Sequence, residues 1–180
     1  MSFFPTPATP NHALQRTAPG VTACAPARRP APAAFPHRLR RPPRSLSLGS
    51  LGIMTIHPHK SVGDLLFGAT RAALHKAGTP VKERLSRLGE LELDYGQIVY
   101  RFEQDRFVEA TFPLPAMLEI GDRRVEGSSL IAFLRQHDPC FREVHGFAVA
   151  PSFGLAVDLD DDDPSRWTTA FASGRWDKIK

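Results

Sequence analysis

Apolar runs separated by turn formers dominate the chain from residue 62 onward, and their lengths predict short elements. Thr70 offers a capping oxygen, Ala72, Ala73 and Leu74 are helix formers, and Gly78 with Pro80 supplies a stop. A helix over 71–77 follows, with Leu65, Leu66 and Phe67 as its apolar entry. Residues 81–89, where Leu85 and Leu88 stand three apart, read as a further helical turn or a loop. Alternating runs at 91–94, 97–103 and 106–112, broken by Tyr95-Gly96 and Gln104-Asp105, predict an antiparallel meander that Pro113 and Pro115 end. In the third run Phe107 and Val108 are both apolar, which leaves its inward face unassigned. Residues 117–120 and 124–126 flank Gly121-Asp122 as a small hairpin or edge. Ser128 or Ser129 caps a second helix to about Gln136, whose stripe is Leu130, Ile131, Phe133 and Leu134. Residues 147–150 and 153–159 pair across Pro151-Ser152, and 167–172 form a last strand. The predicted class is α+β: an antiparallel sheet with two helices packed on one face, joined by tight turns. No internal repeat emerges.

Composition divides the chain in two. Residues 1–53 hold seven of the 23 basic residues, none of the 19 acidic ones and ten of the 17 prolines. That segment has no apolar period to offset backbone ordering and reads as a disordered Arg/Pro-rich tail. Removing it leaves residues 54–180 with 16 basic against 19 acidic side chains, about −3 where the whole chain is +4. The tail reads as a translated upstream stretch, with Met54 as the native start of a single domain over 54–180. Arg28, Arg29, Arg38, Arg40, Arg41 and Arg44 would serve nucleic-acid binding only if that tail is native. Cys140 stands alone in the domain and Cys24 lies in the tail, which points to a reducing, cytoplasmic compartment. No run approaches the ~18 apolar residues of a spanning helix, so no membrane partner is expected.

Phosphate-binding glycine loops and a G-x-S-x-G elbow cannot be laid on the sequence, and no cofactor is expected. His137, Cys140 and His145, with Asp138, make one cluster of potential zinc ligands. A helix end and a buried apolar thiol explain them equally simply. His57 and His59 form a weaker pair. Asp94, Glu103, Asp105 and Glu109 line the meander without a recognisable acid/base pair. The densest charge is Asp158, Asp160, Asp161, Asp162 and Asp163, which lacks EF-hand spacing and reads as a solvated loop or an acidic docking surface. Phe153, Trp167, Phe171 and Trp176 lie beside it, Trp176 being the one expected to be exposed as an anchor.

Leu66-Phe-Gly-Ala-Thr-Arg-Ala-Ala-Leu-His-Lys-Ala-Gly-Thr-Pro80, followed by Asp94-Tyr-Gly-Gln-Ile-Val-Tyr-Arg-Phe102, resembles the opening of a group of small bacterial proteins in which a helix and a G-x-P unit precede a meander. Residues 153–157 and 172–177 resemble the closing strands of that group. The first unit is similar, more faintly, to the helix-plus-meander repeat of beta-lactamase-inhibitor-like and SmpA-like folds, the latter of which carry a signal peptide and a lipidated cysteine not found here. The resemblance implies a binding or inhibitory domain of the immunity-protein kind and carries over no catalytic residue. The resulting expectation is a non-enzymatic cytoplasmic protein that docks a basic protein partner through Asp158, Asp160, Asp161, Asp162, Asp163 and Trp176. The alternatives are a metal-dependent or acid/base enzyme using His137, Cys140 and His145, and nucleic-acid binding through the tail.

Overall fold

Residues 52–86, 89–159 and 166–176 are described by the computed structural model, and strands dominate them. In chain order they form β1 (Ile53–His57), β2 (Ser61–Val62), β3 (Leu65–Leu66), a 3₁₀ helix (Arg71–Ala77), β4 (Lys82–Leu85), β5 (Leu91–Asp94), β6 (Val99–Glu103) and β7 (Arg106–Pro113). There follow β8 (Met117–Ile120), β9 (Arg123–Glu126), a 3₁₀ turn (Gly127–Ser129), α1 (Leu130–His137), β10 (Arg142–Val144), β11 (Phe147–Ala150), β12 (Leu155–Asp158) and β13 (Trp167–Phe171). A five-stranded mixed sheet has the order β3-β2-β1-β8-β9, and an eight-stranded antiparallel sheet the order β10-β11-β12-β13-β7-β6-β5-β4.

The α+β expectation is overturned: the fold is mostly β, two sheets sharing a core, with one short α-helix among the described residues. The first expected helix covers the expected residues but is 3₁₀. Thr70 makes no side-chain cap and its first turn has no acid, but the same holds for α1, so local capping does not separate the two helices. Residues 82–85, read as turn or loop, are instead an edge strand. Lys82, Glu83 and Arg84 mask its alternation because an edge strand buries little.

An internal duplication also corrects the sequence reading. Hairpin, short helix and four-strand meander occur twice: β2–β3, the 3₁₀ helix and β4–β7, then β8–β9, α1 and β10–β13. Exchanging the halves maps the large sheet onto itself, and its central pair β7/β13 is antiparallel, as an approximate twofold requires. In the small sheet β1 is antiparallel to β2 and parallel to β8, so those two run in opposite directions on either side of it. Sequence traces of the repeat recur 58 residues apart: Val62-Gly63-Asp64 with Ile120-Gly121-Asp122, Tyr95-Gly96 with Phe153-Gly154, and Thr111 with Thr169. Thr111 and Thr169 face each other in register, their hydroxyl oxygens 3.1 Å apart.

The main core joins Ile56, Val62, Leu118, Ile120 and Val125 of the small sheet, Leu130 and Leu134 of α1, and Leu93, Phe102, Phe107, Ala110, Phe112, Leu155, Val157 and Ala170 of the large sheet. Its continuity depends on a bulge. The β6–β7 register shifts between Arg101 and Phe102, so that Phe107 and Ala110, three apart, both face this core. Glu109 is thereby turned to the opposite face of the large sheet. On that face Val149, Ala156, Phe171 and Trp176 form a second, smaller cluster.

Candidate functional site

Of the acidic run, Asp158 is described: it ends β12, half-buried, opposite Phe147. Asp160, Asp161, Asp162 and Asp163 lie outside the described residues. The connection they belong to, residues 159–166, joins β12 to β13. Its counterpart in the first repeat is the two-residue turn Gln104-Asp105 between β6 and β7, where both residues have positive φ, 50° and 58°. That is the tight geometry a right-twisted hairpin favours.

Trp176, expected to be exposed, is 7 % accessible. Its ring stacks on Phe171 with centroids 5.4 Å apart and meets Phe147 edge-on at 5.7 Å. The indole Nε1 donates to Glu109 Oε2 at 3.0 Å, and the backbone carbonyl accepts from Arg142 Nη2 at 3.0 Å. A buried carboxylate requires such donors, because leaving it unpaired is expensive. Glu109 also pairs with Arg101 and, at 3.5 Å, with Arg175 Nε. Arg101 reaches Glu92 at 3.2 Å, Glu92 pairs with Arg84, and Arg175 reaches Glu90 at 2.6 Å and Glu103 at 3.5 Å. Burial pulls the Arg175 guanidinium down, but the fields of Glu109, Glu90 and Glu103 outweigh it and hold its pKa above the ordinary value. The ladder follows register: Arg84, Glu92, Arg101 and Glu109 are successive cross-strand partners on β4 to β7. Cationic and anionic side chains alternate, and Glu109 has three donors, so the row braces the sheet instead of presenting a free acid or base.

The potential metal ligands are engaged elsewhere. His137 Nδ1 lies 2.9 Å from the Phe133 carbonyl and its ring stacks on Phe133 at 4.5 Å. Cys140, half-buried, follows Pro139 in the connection between α1 and β10, where its backbone amide donates to Asp138. His145 occupies the β10–β11 turn with φ 53°. Asp138 ties α1 to the β11–β12 turn, accepting from the Ser152 amide at 2.9 Å, the Ser152 hydroxyl at 2.8 Å and the Cys140 amide at 2.7 Å. Among the described residues no three His, Cys, Asp or Glu side chains are grouped to hold a metal ion. Among them, too, no helix is long and apolar enough to cross a membrane.

Sequence reasoning missed a cleft in the first repeat. It lies between the 3₁₀ helix and β4–β5, has a volume of about 400 Å³ and is lined by Arg71, Ala72, Leu74, Glu83, Leu93 and Tyr95, among others. Arg71 Nη1 and Glu83 Oε1 stand 3.6 Å apart at its mouth, both well exposed. Burial, then the Glu83 charge, raises the Tyr95 phenol above its ordinary pKa. Beside the cleft, Val81 and Leu85 are 76 % and 70 % exposed along the β4 edge. The one sequence sign was the pairing of Tyr95-Gly96 with Phe153-Gly154, which becomes meaningful only once the repeat is seen. Comparison with protein families, with characterised proteins and with solved structures finds no match to this chain.

Proposed function

We propose that this chain is a protein-binding domain, of inhibitory or immunity type, that docks a basic partner through the acidic connection between β12 and β13. One observation carries the reading. Where the first repeat closes its meander with the two residues Gln104-Asp105, the second uses residues 159–166, which include Asp160, Asp161, Asp162 and Asp163. Length beyond what closure needs, on a braced sheet, is where binding function is usually added. With Asp158 at its base and about −3 over residues 54–180, the loop offers the charge that accelerates and selects a cationic partner. Trp176 contributes to this reading as scaffold, through Glu109. The finer placement is cytoplasmic, which requires Cys140 to be reduced in the cell.

Affinity capture by the full chain from its native lysate, at low and moderate salt, tests the reading beside a D160N/D161N/D162N/D163N variant. A basic protein retained at low salt, released at moderate salt and lost with the variant is the expected result. A partner retained equally by both chains refutes docking through the acidic loop. Alkylation and intact mass of the protein taken directly from cells test the compartment: an unalkylated Cys140 counts against the cytoplasm.

A further inference from the structure

The outer face of the large sheet, turned away from the main core, is built differently in the two repeats. In the first, one cross-strand row reads Arg84, Glu92, Arg101 and Glu109, guanidinium alternating with carboxylate. The pseudo-twofold that sets Thr111 against Thr169 carries this row onto Val144, Phe147, Asp158 and Trp167 of β10 to β13. Phe147 stands opposite Asp158, and Asp158 and Trp167 follow directly on the Val157–Thr168 pair of β12 and β13. Val144 and Phe147 pack against the second cluster, and strand alternation from Ala156 and Phe171 puts Asp158 and Trp167 on the same face. All four are half-buried. Where the first repeat sets an arginine between two carboxylates, the second sets a carboxylate between two rings. The two tryptophans differ as well. Trp176 is sealed by Phe171, Phe147 and Glu109, whereas among the described residues no hydrogen bond or ring contact engages Trp167. Trp167 is the indole with surface left to bury.

We infer that Trp167 and Phe147 form an aromatic anchor at which the basic partner inserts an arginine side chain. The inference rests on the acidic-docking proposal and names the residue type that the surface selects. A guanidinium is attracted to the face of an indole, and it sheds its weakly held water at lower cost than an ammonium does. Its plane also lies flat on a ring, which the compact lysine head cannot match. Asp158 is the one charged residue of the row, and its sign complements the incoming cation. Trp167 opens β13, where the connection over 159–166 returns to the sheet. A cation drawn by the acidic run therefore arrives beside the indole. Val144 flanks Phe147 in register and Pro113 flanks Trp167, so apolar neighbours shield the rings from water, as binding hot spots require.

Titration of the full chain with a hexa-arginine peptide, and with hexa-lysine of equal charge, tests the anchor at low salt. The chain has two tryptophans and so two indole Nε1–H NMR signals, assigned with W167L. Hexa-arginine is expected to shift the Trp167 signal more than that of the buried Trp176 and to bind about fivefold tighter than hexa-lysine. W167L, with its fold checked by circular dichroism, is expected to bind hexa-arginine about fivefold more weakly and to lose the preference over hexa-lysine. Equal binding of the two peptides by the parent chain, or hexa-arginine held by W167L as tightly as by the parent, overturns the inference. The D160N/D161N/D162N/D163N variant separates this failure from that of the docking proposal. If that variant releases two peptides that the parent binds equally, docking through the acidic loop stands and the arginine anchor falls. If neither peptide binds the parent at about 1 mM, both fall.

Discussion

Replacing Trp176 separates a surface anchor from a buried brace. In W176F the six-membered ring still stacks on Phe171, but the donor 3.0 Å from Glu109 Oε2 is gone. A hydrogen bond to a buried charge contributes about 1.5–3 kcal/mol. Glu109 keeps Arg101 and Arg175, which favours the lower half of that range. Loss of ring volume adds about 1 kcal/mol, for a total near 2–3 kcal/mol. W176A removes the stacking as well and falls in the large-to-small class of about 3–5 kcal/mol. Urea unfolding followed by far-ultraviolet circular dichroism measures both, since the deleted indole cannot serve as the probe. With an m-value of roughly 1–3 kcal/mol/M, W176F lowers the midpoint by about 1–2 M and W176A by more. Partner capture at concentrations where the variants are folded remains unchanged. A W176A chain within about 0.5 kcal/mol of the parent refutes the bracing argument, because surface substitutions fall in that range.

Glycine at 154 is required twice over. Its φ of +63° disfavours a side chain, and a Cβ there would meet the Phe171 carbonyl at 2.7 Å and His59 Nδ1 at 2.9 Å. G154A is therefore expected to destabilise by about 2–4 kcal/mol, whereas G63A, with φ +53° and open space around it, gives only the conformational part, about 1 kcal/mol. Equal losses by thermal or urea unfolding refute the contact argument. Burial, then the neighbouring Tyr95, raises the Tyr100 phenol above its ordinary 10.0. Its stabilisation is fully present below pH 10.0 and is lost as pH rises from there through the folded value. Stability measured from pH 8 to about 12 is expected to fall less steeply in Y100F. A parallel fall in both proteins removes Tyr100 as the cause.

Much of the fold from residue 91 onward was legible in the sequence, because buried elements declare their period. The α1 stripe, the meander at 91–112 and the strands at 147–171 all bury one face, and alternation or 3.6-residue spacing follows from that. Most of the missed strands are short or lie at edges; β1, five residues at the centre of the small sheet, straddles the composition break at Met54 and was missed with it. β2 and β3 have two residues each, too few to show a period, and β4 and β10 expose charged residues. Ambiguity at Phe107 and Val108 was itself a sign of the bulge, since one extra residue breaks the alternation and puts Phe107 and Ala110, three apart, on one face. The repeat escaped notice because its traces are two or three residues long and its helices differ in kind. Trp176 was misjudged for a different reason. A tryptophan near the end of a chain looks solvated until the bulge turns a carboxylate toward it, and that long-range pairing has no local signature.

β1 has a bearing on how such a chain came about. Hairpins β2–β3 and β8–β9 are separated by the width of one strand, and that slot lies on the pseudo-twofold. A single strand placed there must run parallel to one hairpin and antiparallel to the other, so the halves it joins cease to be equivalent. An ancestral pair of identical half-chains would bring two candidates for this single place, or none. Covalent fusion of the repeats resolves the competition, and once one half alone supplies the central strand, the two are free to diverge, one building its helix as 3₁₀ and the other as α.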